Sequence, residues 1–155
     1  VMDKKIISIV SGGFDPIHPG HIMMMRDCLE FSNHLIVGVN SNSWLIKKKG
    51  NFFMDIKHRM YVIDNLTMVN EVMDFEDDDM GSASNLLIKI RKKYPKNKII
   101  FANGGDRSDS SKILEQDTAD KCDIALEYGV GGSHKESSSS DLLKRWGKYL
   151  LESKN

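Results

Sequence analysis

Five short apolar runs punctuate the chain, at residues 5–11, 34–40, 71–75, 99–102 and 123–127. Most are rich in Ile, Val or Leu and bounded by polar residues, the pattern of strands buried on both faces. Residues 19–31, 56–68 and 84–94 read as helices, with a shorter one at 111–117. Pro19 suits a first helical turn. The apolar face of that helix, carried by Met23, Met24, Leu29 and Phe31, is only roughly periodic. Ser140-Asp141 predicts a cap for a final helix at 142–151. Strands alternating with helices imply an open parallel sheet of about five strands with helices on both faces, an α/β fold. Ligands in such sheets sit beyond the carboxyl ends of the strands, where the strand order reverses. His18, Asn40 and Asp106 all come soon after predicted strands, so distant segments converge on one sheet edge.

Composition narrows the class. A chain of 155 residues reads as one domain over 1–155, and 40% hydrophobic content is enough for one core. Lys+Arg and Asp+Glu are 22 each, so the formal net charge is zero. That argues against a protein that coats nucleic acid, which carries a basic excess. A local basic cluster can still hold one small polyanion. Cys28 and Cys122 form no close motif and read as reduced thiols. No apolar run approaches the ~20 residues that span a bilayer. The start, Met2-Asp3-Lys4-Lys5 and then a short strand, does not read as a signal peptide. A cytoplasmic protein with no membrane partner is expected.

The densest chemistry lies in Gly12-Gly13-Phe14-Asp15-Pro16-Ile17-His18-Pro19-Gly20-His21, where the first strand hands over to a helix. A helix start offers unpaired backbone N–H groups and the positive end of a dipole, so it suits a phosphate. His18 and His21 can donate hydrogen bonds to the same anion. Such a site would hold a nucleoside triphosphate while its α-phosphate is attacked. No Walker A pattern, Ser–His–Asp constellation or dinucleotide glycine motif is present.

A strand followed by this glycine, Phe-Asp and His-x-Gly-His arrangement resembles the nucleotidyltransferase superfamily with the HIGH-type motif. The chain is most similar to its cytidylyltransferase-like family, the branch that includes glycerol-3-phosphate cytidylyltransferase and the heptose-1-phosphate adenylyltransferase domain. Further pieces match in order: Val37-Gly38-Val39-Asn40-Ser41-Asn42, Lys47-Lys48-Lys49-Gly50, His58-Arg59-Met60, Asn103-Gly104-Gly105-Asp106 and Ser138-Ser139-Ser140. The similarity runs from about residue 5 to about residue 146. Where the family carries Arg-Thr-Glu-Gly-Ile, this chain has His134-Lys135-Glu136-Ser137, which keeps basic character without the arginine's planar fork.

The resemblance implies a Rossmann-like sheet and transfer of a nucleoside monophosphate from CTP or ATP to a small phosphorylated sugar or polyol. An FMN or pantetheine-phosphate type adenylyltransferase and a non-catalytic nucleotide-binding module are the alternatives. His18, His21, Lys48, Lys49 and Arg59 would neutralise the reacting phosphates. Gly12, Gly13 and Phe14 would line the turn, and Gly20 would leave room for a phosphate. Gly104 and Asp106 would meet base and ribose. Ser138, Ser139 and Ser140 would cradle the β/γ phosphates, cap a helix, or do both, with His134 and Lys135 adding positive charge. Asp15 either orients the loop or lies near the acceptor. Asn40 and Lys47 are placed on the acceptor, and Trp44 either lines its pocket or packs. Mg²⁺ is expected as cofactor, held mainly by the triphosphate. The acidic run at 76–79 reads as a solvated loop. A homodimer is plausible from the family.

Overall fold

The computed structural model describes residues 4–104, 113–132 and 138–154. The chain runs β1 (Ile6–Gly12), α1 (Pro19–Asp27), a 3₁₀ turn (Cys28–Glu30), β2 (His34–Val39), α2 (Asn42–Lys49) and α3 (Ile56–Asp64). It continues β3 (Glu71–Asp74), α4 (Ser84–Lys93), β4 (Lys98–Gly104), α5 (Gln116–Lys121), β5 (Ala125–Val130) and α6 (Ser139–Ser153). Among the described residues the strands form one five-stranded sheet in the order β3-β2-β1-β4-β5, and every pairing is parallel. The order reverses between β1 and β4, which sets the crevice at their carboxyl ends.

Side chains alternate faces along each strand. Ile7, Ile9, Ile36 and Phe101 pack with Leu86, Leu87 and Ile90 of α4 and Ala119 of α5. Val10, Leu35, Val37, Val39 and Ala102 pack on the other face with Met25 of α1, Cys28 and Ile63 of α3. Both faces of β1 and β2 are therefore covered, which explains their unbroken apolar runs. Gly38 has a packing reason: a Cβ there would lie 2.2 Å from Leu86 Cδ2, so α4 sits directly on the β2 backbone. The outer strand β5 departs from the expected burial, since Ala125, Glu127 and Gly129 are exposed. No described helix is long and apolar enough to cross a membrane.

The elements differ from the sequence reading in instructive places. β5 starts at Ala125, after residues 123–124 close α5. Asp123 adopts a left-handed φ of 53°, and the Asp123 and Ile124 N–H groups donate to Asp120 and Ala119 carbonyls. This is a Schellman ending made without glycine. Of the helix expected at 111–117, residues 111–112 lie outside the described residues, 113–115 are not helical, and α5 begins at Gln116. The helix expected at 19–31 ends at Asp27 and tightens into the 3₁₀ turn, and the one expected at 56–68 ends at Asp64. The α6 cap is Ser138, two residues before the expected one, with its Oγ accepting from Asp141 N–H at 3.1 Å. Helix α2 has no counterpart in the apolar pattern, because it buries only Leu45. Its signals are at the ends: Ser41 Oγ accepts from Trp44 N–H, Gly50 closes at φ 94°, and three lysines occupy the last turn.

Candidate active site

The turn after β1 is shaped around Phe14, which holds a left-handed φ of 51°. Its ring packs under Gly12 and meets the His21 ring edge-on, 5.0 Å between centroids. Gly13 lies tight against α2, where a Cβ would come 2.8 Å from Leu45.

His18 is the N-cap of α1 and His21 is three residues into it. Gly20 N–H donates to His18 Nδ1 at 3.1 Å, and His18 N–H donates to His21 Nδ1 at 3.2 Å. Together they make a capping box from two imidazoles. A backbone N–H can only donate, so both Nδ1 atoms accept, and the proton of each neutral ring is on Nε2. The rings stack at 3.7 Å with 27° between planes. Burial, then the charges of His18 and Lys49, push the His21 pKa down to about 4. Burial and Lys49 also lower that of His18. Near neutral pH the pair is uncharged and offers two Nε2–H donors.

This corrects one expectation about the helix start. Pro19 has no N–H, Gly20 N–H is held by His18 Nδ1, and His21 N–H is held by His18 O at 3.0 Å. The first-turn amides are already paired, so the ring donors and the dipole are what the helix start presents to an anion. Gly20 has a different use from the one expected: a Cβ there would meet the His18 ring at 2.9 Å, so its bareness makes room for that ring.

A cavity of about 340 Å³ opens where these groups meet. Of the expected residues, Gly12, Gly13, Phe14 and His21 line it from the β1 turn and α1. Asn40, Trp44, Lys48 and Lys49 line it from β2 and α2, and Ser139 from α6. Lys48 Nζ lies 4.6 Å from the Trp44 ring centroid, a cation–π distance. Trp44 Nε1–H donates to Gly81 O at 2.9 Å. Ser139 Oγ donates to Pro16 O at 2.6 Å, tying α6 to the β1 turn.

Arg59, expected on phosphate, is instead built into the scaffold, and Asp15, left between the loop and the acceptor, takes the loop. Arg59 is 1% exposed. Its Nε donates to Met54 O, Nη1 to Gly13 O and Asn40 O, and Nη2 to Asn42 Oδ1, all within 2.8 Å. The guanidinium thus joins the β1 turn, the end of β2 and the approach to α3, and it faces protein carbonyls where a phosphate contact was expected. Asp15, buried as well, accepts from Phe53 and Met54 N–H groups at 2.6 and 2.7 Å. It orients the loop; the acceptor role is not where its carboxylate points. Lys47 is exposed and outside the cavity lining, because at roughly 100° per residue Trp44, Leu45, Lys48 and Lys49 share one arc of α2 and Lys47 falls outside it. Gly104 serves packing: a Cβ there would lie 2.9 Å from Met24 Sδ. His18, Ser138 and Ser140 stand outside the cavity lining, with Ser138 occupied as cap. Asp106, His134 and Lys135 lie outside the described residues.

Sequence reasoning missed Gly81, Ala83, Leu114 and Glu115 on the cavity wall. Their positions follow from topology alone. Among the described residues, no three His, Cys, Asp or Glu side chains are grouped to hold a metal ion. The buried carboxylates nearby, Asp15 and Glu115, already accept backbone N–H groups. The described residues do not make a protein cage for Mg²⁺.

A parallel sheet with its switch point at β1 and β4, and imidazole donors on the helix that follows β1, defines an α/β nucleotide-binding enzyme. A family model described as Cytidylyltransferase-like matches residues 9–127. The chain belongs to the cytidylyltransferase-like family and is a nucleotidyltransferase. It is similar to "Bifunctional protein HldE" of Actinobacillus succinogenes, 31% identical over 116 residues that cover 68% of this chain and 24% of that protein. The protein of the same name from Aliarcobacter butzleri is 29% identical over 146 residues, 93% of this chain and 27% of the relative. The chain thus spans about a quarter of the length of these curated relatives. A bifunctional NMN adenylyltransferase/ADP ribose pyrophosphatase from Francisella tularensis shares the fold at TM-score 0.62 and 16% identity, over 92% of this chain and 41% of that one. A lipopolysaccharide core biosynthesis protein from Thermoplasma volcanium does so at TM-score 0.58 and 22% identity, over 81% and 94%.

Proposed function

We propose that the chain transfers a nucleoside monophosphate from CTP or ATP to a small sugar or polyol phosphate. An oxygen of the acceptor phosphate attacks the α-phosphorus, a new P–O bond forms, and the bond to the β-phosphate oxygen breaks with pyrophosphate leaving. The attacking oxygen is already ionised, so no strong general base is needed. What the protein must supply is alignment and relief of the charge that builds on the phosphates.

The observation that carries this reading is the stacked pair of neutral imidazoles with both Nδ1 atoms tied to backbone. Donors fixed before the substrate arrives need no rearrangement during the reaction. Lys48 and Lys49 add positive charge to the cavity that His21 lines. Mg²⁺, in this reading, enters with the triphosphate and offsets part of its charge. Support for a sugar phosphate acceptor comes from the resemblance to the heptose-1-phosphate adenylyltransferase branch and from the relatives named HldE. The reaction is placed in the cytoplasm, where nucleoside triphosphates are made.

The test is pyrophosphate release by the purified chain with each of the four nucleoside triphosphates, Mg²⁺, and a panel of sugar and polyol phosphates. Release that requires both CTP or ATP and an acceptor is expected. Tight nucleotide binding with no release for any acceptor would overturn the reading.

A further inference from the structure

Trp44 lines the cavity and has no part in the transfer step described above. It is half-buried on α2, a short helix whose buried residue is Leu45. A large aromatic there needs a reason, and its neighbours supply one.

The indole is fixed at two edges. Its Nε1–H donates to Gly81 O at 2.9 Å, and its Cζ3 would lie 3.6 Å from a Cβ at Gly13. The Gly81 carbonyl belongs to a loop that is itself fastened. Asp78 Oδ1 accepts from Ser82 N–H at 2.8 Å, and Ser41 Oγ, the cap of α2, donates to Asp77 Oδ2 at 2.5 Å. Loop and helix start are thus tied at both Ser41 and Trp44, and the ring cannot turn without breaking a bond. Over that ring stands Lys48 Nζ, 4.6 Å from its centroid.

Helix α2 ends in three lysines, each suited to the negative end of the helix dipole. Of these, Lys48 has an aromatic one turn before it, whereas Lys47 and Lys49 have Ser43 and Leu45 there. A lysine on an exposed last turn has a long flexible stem, and fixing it when a ligand arrives costs entropy. An aromatic face attracts the ammonium without neutralising it, so the charge stays available to a phosphate. A carboxylate in that place would hold the lysine and cancel its charge.

We infer that Trp44 is a positioning residue that holds the Lys48 ammonium at the cavity, ready for a substrate phosphate. What Lys48 meets rests on the transfer reading above; what holds Lys48 rests on the geometry of α2. The bond to Gly81 explains the choice of tryptophan, since phenylalanine has the face and no N–H to lock it.

Two variants separate the face from the lock. Trp44→Phe and Trp44→Leu both lose the bond to Gly81, and Trp44→Phe alone keeps an aromatic face. Both are checked for folding by melting temperature, and each is made with and without Lys48→Met. Lysine ¹³C–¹H NMR of the free chain reads the contact itself, with the Lys48 signal assigned by its loss in Lys48→Met. Its ε-methylene should lie upfield of the other lysines through the ring current, stay partly upfield in Trp44→Phe, and move to the ordinary position in Trp44→Leu. Pyrophosphate release is then measured with nucleotide and acceptor varied in turn. Trp44→Leu should raise the KM of the substrate whose phosphate meets Lys48 by about threefold to tenfold, the cost of ordering one long side chain, with kcat within about twofold. Trp44→Phe should recover most of that loss. In the Lys48→Met background both substitutions should change that KM by less than about twofold. A wild-type Lys48 ε-methylene at the ordinary position overturns the inference without kinetics. A Trp44→Leu loss that is as large without Lys48 as with it, or that Trp44→Phe fully shares, overturns it too. If no acceptor supports release, the transfer reading fails by itself; the same set of proteins is then titrated with inorganic pyrophosphate, and losses in Kd that do not depend on Lys48 overturn the inference.

Discussion

His21→Asn will lower kcat by about 10²–10³-fold while leaving nucleotide affinity within a few-fold, because it removes a transition-state donor and keeps the local structure. Asparagine can place an amide oxygen near the position of Nδ1, so it can still accept from His18 N–H, a bond of 3.2 Å in the wild type. It has nothing at the position of Nε2. His21→Gln places an amide nitrogen near Nε2 and should recover part of the rate. Single-turnover kinetics with nucleotide titration separates the two quantities. Equal losses in binding and turnover would mean that His21 holds the ground state and would contradict the role assigned to it. An alanine variant is less informative, since it also deletes half of the capping box, worth about 0.5–2 kcal/mol by itself.

Arg59→Met will destabilise the fold by about 2–6 kcal/mol, which is a large part of the stability of an ordinary domain. The guanidinium is what pairs the Gly13 and Asn40 carbonyls, at 2.8 and 2.7 Å, and without it both lose their donor, at about 1–3 kcal/mol each. Arg59→Lys should recover little, because one ammonium cannot fan out over four acceptors in different directions. Urea unfolding gives the stability, and nucleotide titration of the folded fraction gives the affinity. An arginine that contacted phosphate would behave in the opposite way: Arg59→Met would keep its unfolding midpoint and lose affinity for the nucleotide.

The same two residues show what a sequence can and cannot reveal. β1, β2 and β4 were legible because strands covered on both faces must be apolar at nearly every position. The histidine pair was legible because a strand, a glycine turn and a proline-started helix frame it within ten residues. The structure ties Nδ1 of each ring to the backbone, which leaves Nε2 as the nitrogen with a proton to donate. Arg59 was misplaced, and Asp15 was left between two roles, because charged residues are usually exposed and nothing in the linear pattern marks the ones that are buried. Helix α2 was hidden by its single buried residue, though Ser41 and Gly50 announced its ends. Glu115 carried no local signal at all. Only the closing of the sheet brings it to the start of α4, 32 residues away in sequence.

The central claim is that two neutral imidazoles, their protons held on Nε2 by backbone bonds to Nδ1, are ready for the phosphates before these arrive. Ring ¹⁵N NMR of the free chain across pH 3.5–8 tests it most directly. Nε2–H tautomers are expected for His18 and His21 at neutral pH, with His21 titrating near 4 and His18 below its ordinary 6.5. The unfolded chain binds these protons more readily than the folded one, so stability should also decline as pH falls from about 6.5 toward 4. Adding nucleoside triphosphate should raise both pKa values, since nearby negative charge favours the imidazolium. A proton on Nδ1 of either ring at neutral pH, or a His21 that titrates at or above 6.5 in the free chain, would contradict it.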